Sequence, residues 1–248
     1  MLKQLGMAIL GSVVLSHTSL ALEDEEVFKE AIDYTVKIET RVDIPFLDDQ
    51  KGAFMGAGFL VDAERGWIMT NAHVVARSPS HVSVAFRHDE SSQPAEKVYV
   101  DPYLDLALLK LPKEVKINRP AAPLECGGTP LSIGHPVGAL GHPWGIFFTG
   151  TRGVISGTTN KFDSEFLQTD APINDGNSGG PLISMKTAKV VGINTASINR
   201  RRDQNTNFAT PMKYACRVLQ LLQKNQDPSP PKRPILFLTD LDDTNQLI

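Results

Sequence analysis

The chain has 248 residues, of which 41% are hydrophobic and 21% are charged, so it can form a sizeable buried core. This composition excludes a disordered, collagen-like or coiled-coil protein. The 25 basic and 28 acidic side chains leave a net charge of −3. Nucleic acid is therefore not expected as a partner, because domains that bind it carry an excess of basic residues.

The first 21 residues have the pattern of a cleavable secretory signal. Lys3 precedes an apolar run over residues 7–15, and Ser19 and Ala21 are small residues at the positions that a signal peptidase reads. The alternative, a membrane anchor, needs about 18 or more continuous apolar residues, and this run ends too early. We therefore expect an exported protein, periplasmic or secreted, without stable membrane insertion after the signal at 1–21 is removed.

The rest of the chain predicts an all-β fold with a short helix at each end. Residues 23–32 predict an N-terminal helix, and residues 212–224 place apolar side chains near one face of a C-terminal helix. Short β-rich runs lie on both sides of a Pro-containing connector at residues 112–130. The runs before it are 34–40, 58–61, 67–70, 82–86, 97–100 and 106–111, and those after it are 131–133, 146–149, 153–156, 166–168, 180–183, 190–194 and 208–210.

Two similar series of strands fit two small barrels better than one sandwich. We predict one domain over residues 22–224 that contains both barrels, roughly over 22–112 and 130–211, and the C-terminal helix at 212–224. The Pro-containing residues 225–248 are predicted to form a tail, whose apolar stretch at 235–238 makes docking on the barrels plausible.

Three short segments hold the residues with catalytic chemistry. Residues 176–180 read Gly-Asn-Ser-Gly-Gly, and such glycines let neighbouring N–H groups point at one developing oxyanion. His73 follows an apolar strand and can exchange a proton near neutral pH, although a lone histidine there is more often structural. Asp105 precedes the apolar run 106–111, where an aspartate is ordinarily a turn residue. The order of His73, Asp105 and Ser178 is that in which trypsin-like proteases supply base, orienting acid and nucleophile.

Around these residues the sequence resembles the HtrA (Deg) family of trypsin-like serine proteases over roughly residues 50–215. The resembling segments read Thr-Asn-Ala-His-Val at 70–74, Asp-Leu-Ala-Leu-Leu-Lys at 105–110 and Gln-Thr-Asp-Ala-Pro-Ile-Asn-Asp-Gly-Asn-Ser-Gly-Gly-Pro-Leu at 168–182, with further matches at 56–60, 133–138 and 192–196. The resemblance implies a double β-barrel with its active site in the cleft between the barrels. It also implies a serine endopeptidase that cleaves unfolded or exposed protein segments in protein quality control.

The resemblance assigns a role to the catalytic residue in each of the three segments. Ser178 attacks the peptide carbonyl, His73 takes the proton and passes it to the leaving amine, and Asp105 orients and stabilises the imidazolium. The backbone N–H groups of Gly176 and Ser178, together with that of Asn177, are expected to form the oxyanion hole.

The resemblance also implies which residues contact substrate and which partners the protein has. Ile173, Asn174, Asn194 and Thr195 are expected to contact substrate, and the segment before Ser178 lacks an acidic residue to meet a substrate Lys or Arg. Small or medium aliphatic residues are therefore expected before the cut. The resemblance further implies a homo-oligomer, a trimer, with unfolded proteins or peptides as partners. No cofactor or metal is expected, since the remaining histidines lack metal-ligand spacing.

The sequence departs from the family at two informative places. Asp175 stands where the family usually has proline, which leaves the backbone before the oxyanion loop less restricted. The residues after position 224 are too few for the PDZ domain that the family usually appends, so we expect a PDZ-less member.

The two cysteines, Cys126 and Cys216, can pair only outside the reducing cytosol, and two separately buried thiols are the alternative. The resemblance favours a disulfide, because in the trypsin-like fold the C-terminal helix packs beside the connector between the barrels.

Two rival functions remain open at this level. Glutamate-specific bacterial secreted proteases share the order of the triad, but they typically carry serine where this chain has Gly180, and histidine where it has Asn194 or Thr195. A chaperone or binding protein with the protease fold and a rarely ordered active site is the alternative from another class.

Overall fold

The structure is a computed structural model that describes residues 24–46, 49–128, 130–142, 148–161, 164–195 and 206–229. The predicted signal at 1–21 and the tail beyond Ser229 lie outside the described residues. The helices of the described part are α1 (Asp24–Tyr34), α2 (Ala72–Val75) and α3 (Met212–Gln223). Its strands are β1 (Thr35–Val42), β2 (Gly52–Asp62), β3 (Trp67–Thr70), β4 (His81–Phe86), β5 (Gln93–Asp101), β6 (Leu106–Lys110), β7 (Pro136–Gly141), β8 (Thr149–Lys161), β9 (Ser164–Thr169), β10 (Pro181–Ser184), β11 (Val190–Thr195) and β12 (Asn207–Pro211).

These strands form two closed antiparallel barrels of six strands each. The first barrel has the order β1-β2-β3-β6-β5-β4, and the second has the order β10-β11-β12-β9-β8-β7. Each barrel therefore uses one continuous half of the chain, on either side of the connector. The predicted all-β fold, a trypsin-like double barrel with a helix near each end, is confirmed.

Uninterrupted apolar sequence forms the two strands that lead to the site. All four residues of β3 are buried, and β3 pairs with β6 so that Met69 lies opposite Leu108. Both of these side chains are fully buried. β1, in contrast, alternates between buried residues such as Ile38 and exposed residues such as Glu39, as a strand with one solvated face does. The residue after β3 and the residue before β6 are thus held by a rigid part of the first barrel.

The two longer helices pack against the barrels. α1 buries Val27, Ala31 and Tyr34, and Phe28 lies so close to Gly138 that a methyl group there would be 2.6 Å from its ring. α3 contributes to the larger apolar core, which it shares with β11. Its buried residues are Met212, Ala215, Cys216, Val218 and Leu219.

The connector between the barrels is attached to both α3 and β11. A disulfide joins Cys126 to Cys216, whose Cα atoms are 5.7 Å apart. Next to it, the Glu125 N–H donates to the Val190 carbonyl at 2.9 Å, and the Val190 N–H donates to the Pro123 carbonyl at 2.7 Å. The connector thus runs beside the C-terminal helix.

The strand predicted at residues 131–133 is wrong. The His135 N–H donates to the Ser132 carbonyl at 3.0 Å, and Gly134 has a φ of 85°, so this segment is a turn. Ile133 is 78% exposed and β7 begins only at Pro136. A short apolar run is typical of a strand, but here the hydrogen bonds between strands begin only after Gly134. The run predicted at 153–156 is part of the longer strand β8.

Candidate active site

His73 lies on the one-turn helix α2, directly after the buried strand β3. Its side chain is 50% exposed, whereas its neighbours Ala72 and Val74 are buried. The apolar neighbours hold the turn on the first barrel, and the imidazole is left facing outward. This is a suitable position for a side chain that must reach a substrate.

Asp105 lies immediately before β6 and orients the His73 ring. Its Oδ2 is 2.8 Å from His73 Nδ1 and its Oδ1 is 3.0 Å from the same atom. The His73 backbone N–H also donates to Oδ1 at 3.0 Å. Burial disfavours the charged carboxylate, but the hydrogen bonds and charge of His73 outweigh burial and lower the pKa of Asp105. An ionised carboxylate is therefore fixed on the Nδ1 side of the imidazole.

Ser178 belongs to a tight glycine-rich loop before β10. The Asn177 N–H donates to the Asn174 carbonyl at 2.9 Å, and the Gly180 N–H donates to the Asn177 carbonyl at 3.0 Å. Gly176 and Gly179 have φ values of 97° and 84°, in the left-handed region that favours glycine. Asp175, which replaces the expected proline, is exposed before this turn. The loop is ordered by its own backbone bonds, and Ser178 is only 5% exposed.

This loop packs directly on the strands that precede His73. The Ala57 N–H of β2 donates to the Ser178 carbonyl at 2.8 Å. A methyl group on Gly179 would be 2.2 Å from both the Ala57 carbonyl oxygen and Thr70 Oγ1, and 3.2 Å from the Asn71 nitrogen. The structure therefore brings the serine loop of the second barrel against the segment that carries His73.

The expected oxyanion donors are not equivalent in the structure. The Asn177 N–H donates within the loop to Asn174, as described above. The Gly176 carbonyl accepts the His142 N–H at 3.0 Å, which fixes the orientation of the peptide that follows Gly176. The Asn177 N–H is thus engaged within the loop, and the oxyanion role of the N–H groups of Gly176 and Ser178 stays a prediction.

The four residues expected to contact substrate occupy different environments. Ile173 is buried in the apolar core of the second barrel, whereas Asn174 is exposed. Asn194 is fully buried, its Nδ2 donates to the Pro181 carbonyl at 2.9 Å, and its own carbonyl accepts the Gly179 N–H at 2.8 Å. Thr195 is half-buried at the end of β11. The backbone of Asn194 therefore holds the serine loop, and the substrate contacts of these residues stay a prediction.

Two further residues touch the site and were not assigned a role from the sequence. Asn71 donates from its amide to the Asp105 carbonyl at 2.7 Å. His142 is fully buried beside the serine loop, and burial followed by the charge of Lys37 lowers its pKa to about 4. Its Nδ1 accepts the Phe148 N–H at 3.3 Å. Asn71 stands inside the Thr-Asn-Ala-His-Val motif, but the direction of its side chain has no signature in the sequence.

None of the helices in the described ranges has the length and apolar character needed to cross a bilayer. In the same part of the chain, no group of three or more His, Cys, Asp or Glu side chains is arranged to hold a metal ion.

The double barrel and the site at His73, Asp105 and Ser178 are those of a trypsin-like peptidase, and comparison with known families agrees. Residues 56–193 match the model of the trypsin-like peptidase domain, so the chain belongs to this family. Within it, the chain is an HtrA-type member, as the following similarities show.

A DegP-like probable periplasmic serine endoprotease of Chlamydia pneumoniae is 38% identical over 185 residues, which cover 71% of this chain and 36% of the relative. One from Pseudomonas putida strain F1 is 35% identical over 176 residues, covering 69% of this chain and 35% of the relative. The chain thus spans about a third of the length of these curated relatives.

Solved structures show the same relationship. The HtrA-type protease AlgW with a tripeptide has a TM-score of 0.69 at 32% identity, covering 82% of this chain and 64% of that one. A serine endoprotease from Yersinia pestis has a TM-score of 0.65 at 31% identity, covering 81% of this chain and 66% of that one. The expected resemblance to the HtrA family is confirmed.

Proposed function

We propose that the protein is a serine endopeptidase that hydrolyses peptide bonds through an acyl-enzyme, with Ser178, His73 and Asp105 as its catalytic triad. The observation that carries the proposal is the Asp105 carboxylate at 2.8 Å from His73 Nδ1, next to a serine loop packed on the strand before His73. A carboxylate accepts but does not donate, so Nδ1 carries the hydrogen and Nε2 is the basic nitrogen. The ring is thereby prepared to accept a proton.

The proposed reaction has two halves. The Ser178 hydroxyl attacks the substrate carbonyl while His73 Nε2 takes its proton, and the resulting imidazolium is stabilised by Asp105. His73 then gives the proton to the leaving amine. Water then attacks the acyl carbon while the same nitrogen takes its proton. The bond to the Ser178 oxygen breaks, and His73 returns the proton to that oxygen as the second product leaves. The N–H groups of Gly176 and Ser178 stabilise the oxyanion in both halves, and one such donor typically contributes about 3 kcal/mol.

The site also supports a substrate class and a location. The His73 side chain is half exposed and so is accessible to an extended polypeptide, and the relatives are named periplasmic serine endoproteases. We infer that the protein is exported and cleaves unfolded or exposed protein segments, in a quality-control role. The homotrimer implied by the resemblance stays a prediction.

The test is hydrolysis of an unfolded protein such as casein by the chain without residues 1–21. Wild type is expected to produce fragments, and Ser178→Ala and His73→Ala are each expected to lose about 10⁴- to 10⁶-fold in kcat, because the triad works as a unit. Mass spectrometry of the fragments reads the residue before each cut, where small or medium aliphatic side chains are expected.

Ser184→Ala is the matched control. Ser184 is also buried and also contacts a histidine, with its Oγ 2.8 Å from His135 Nε2, but it lies at the far end of β10. This variant is expected to keep its activity per folded molecule. Hydrolysis by Ser178→Ala at the wild-type rate contradicts the proposal. Suppression of casein aggregation without any cleavage by wild type would instead indicate a protease-fold chaperone.

A further inference from the structure

Asn71 precedes α2 but does not cap it. It has the extended backbone of an N-cap residue, with φ −86° and ψ 154°, yet its side chain makes no capping hydrogen bond. An asparagine at this position usually accepts a hydrogen bond from an N–H of the first turn. The side chain of Asn71 is fully buried, so its amide must find hydrogen-bond partners elsewhere in the protein.

The amide of Asn71 instead bridges two other segments. Its Nδ2 donates to the Asp105 carbonyl at 2.7 Å and to Thr195 Oγ1 at 3.3 Å. A backbone carbonyl can only accept, so the NH₂ end of the amide must face Asp105. Both hydrogens of one NH₂ group are thus directed at different elements, one before β6 and one at the end of β11.

The first bond holds a residue in the left-handed backbone region. Asp105 has a φ of 51°, a conformation that costs free energy for a residue with a side chain, although aspartate adopts it more readily than most. Its carbonyl is held by Asn71, while its carboxylate binds the ring of His73, two residues after Asn71. The chain from Asn71 to His73 and the two bonds to Asp105 form a closed ring, so the carboxylate and the imidazole have a defined separation.

The second bond reaches the nucleophile loop. Thr195 follows Asn194, whose carbonyl accepts the N–H of Gly179, the residue after Ser178. Asn71 therefore lies in the segment that carries the base, and it bonds both the backbone of the orienting Asp105 and the end of the strand that holds the serine loop. These three come from both barrels.

We propose that Asn71 is a positioning residue that aligns Asp105 with His73 and keeps this pair in register with the loop of Ser178. The proposal rests on the proposed function, because alignment matters only if these residues form a catalytic triad. Asn71 does not itself touch the reacting atoms. Its loss is therefore expected to impair the chemical step more than substrate binding.

Asn71→Ser tests this role without removing the helix start. Serine is as good an N-cap residue as asparagine, but its hydroxyl lies on Cβ and is too short to bridge to Asp105. We expect kcat to fall about 10²-fold, the loss typical of a misplaced catalytic group, with KM changed only a few-fold. The apparent pKa of the acid limb of kcat/KM should also fall, since a tilted carboxylate stabilises the His73 imidazolium less.

Thr35→Val is the control for the loss of a buried hydrogen bond. The Thr35 hydroxyl donates to the Ala31 carbonyl at 2.7 Å, between α1 and β1. This variant is expected to lose thermal stability and to keep the wild-type kcat and pH profile. A purely structural role of Asn71 would give the same result as Thr35→Val, so the pH profile separates the two roles.

A readout that needs no substrate separates this proposal from the function itself. In wild type, the hydrogen between His73 Nδ1 and Asp105 should give a far-downfield proton NMR signal at acidic pH, and Asn71→Ser should shift or lose it. If wild type shows no Ser178-dependent hydrolysis, the proposed function fails while this signal still tests Asn71. If wild type hydrolyses and Asn71→Ser keeps its kcat, pH profile and signal, the positioning role is overturned.

Asn71→Asp provides a second variant in case Asn71→Ser does not fold. Aspartate has the same shape and the same preference for the N-cap, but its ionised carboxylate has no hydrogen to donate. The same loss of kcat is expected. The new negative charge near His73 by itself raises the apparent pKa of the acid limb, so the shift of that limb is read from Asn71→Ser alone. If neither variant folds, Asn71 serves the fold and not the site, and the proposal is overturned.

Discussion

Breaking the disulfide between Cys126 and Cys216 is expected to remove a large part of the stability of this protein. The bond closes a loop with a sequence separation of 90 residues. That loop contains every strand of the second barrel, from β7 to β12. Reduction therefore increases the conformational freedom of about half of the chain in the unfolded state, while the native contacts of the barrel are unchanged.

The chain-entropy relation gives the size of this effect. For a loop of this length it predicts about 4.6 kcal/mol at 25 °C, and native disulfides are commonly worth about 2 to 5 kcal/mol. A typical domain has a free energy of unfolding of about 5 to 15 kcal/mol. The loss is thus comparable to a third or more of the total. Cys216 is also buried in the apolar core, so its replacement should be alanine to avoid burying a new hydroxyl.

Urea denaturation followed by circular dichroism measures the loss. Reduced wild type keeps both sulfur atoms, so its difference from oxidised wild type isolates the cross-link. The double variant Cys126→Ala/Cys216→Ala should resemble reduced wild type, apart from a small packing effect. The m value should rise in both, because an unfolded chain without the cross-link exposes more surface.

Two results would refute this reasoning. One is an equal free energy of unfolding and an equal m value for oxidised and reduced wild type. The other is alkylation of two thiols in denatured protein that was exported and never reduced, which would show that the native protein holds two separate buried cysteines.

Two other substitutions test the packing and the electrostatics of the site. Gly179→Ala should lower kcat/KM by at least about 10²-fold and should also lower Tm. The new methyl group would be 2.2 Å from Thr70 Oγ1, and the φ of 84° at this residue disfavours any side chain. Wild-type activity of this variant would contradict the packing of this loop. His142 has a pKa of about 4 in the folded state, against an ordinary value of 6.5. As the pH falls, the unfolded chain therefore binds a proton at His142 before the folded protein does, so the free energy of unfolding should decrease between about pH 6.5 and pH 4. His142→Gln should lose this part of the pH dependence, and urea titrations of both proteins across that range would show parallel curves if the reasoning is wrong.

Much of the fold and the identity of the site residues can be predicted from the sequence because they depend on local patterns. The apolar runs that became β3 and β6 are buried along almost their whole length, so hydrophobicity alone marks them as strands. The three motifs around His73, Asp105 and Ser178 combine residue type with order along the chain, and that combination indicates the chemistry. The sequence also limited the cysteines to two alternatives, a pair or two buried thiols.

Tertiary structure decided whatever depends on the direction of a side chain or on a distant partner. Residues 131–133 have a strand-like composition, but the turn at Gly134 shows that no ladder begins there. Ile173 has no signature of burial in the sequence, and the structure places it in the apolar core of the second barrel, while its substrate contact stays a prediction. Asn71 has the sequence position of a helix cap, yet its hydrogen-bond partners are 34 and 124 residues away along the chain. A sequence records such a residue's type, but only the closing of two barrels against each other determines which atoms its amide can reach.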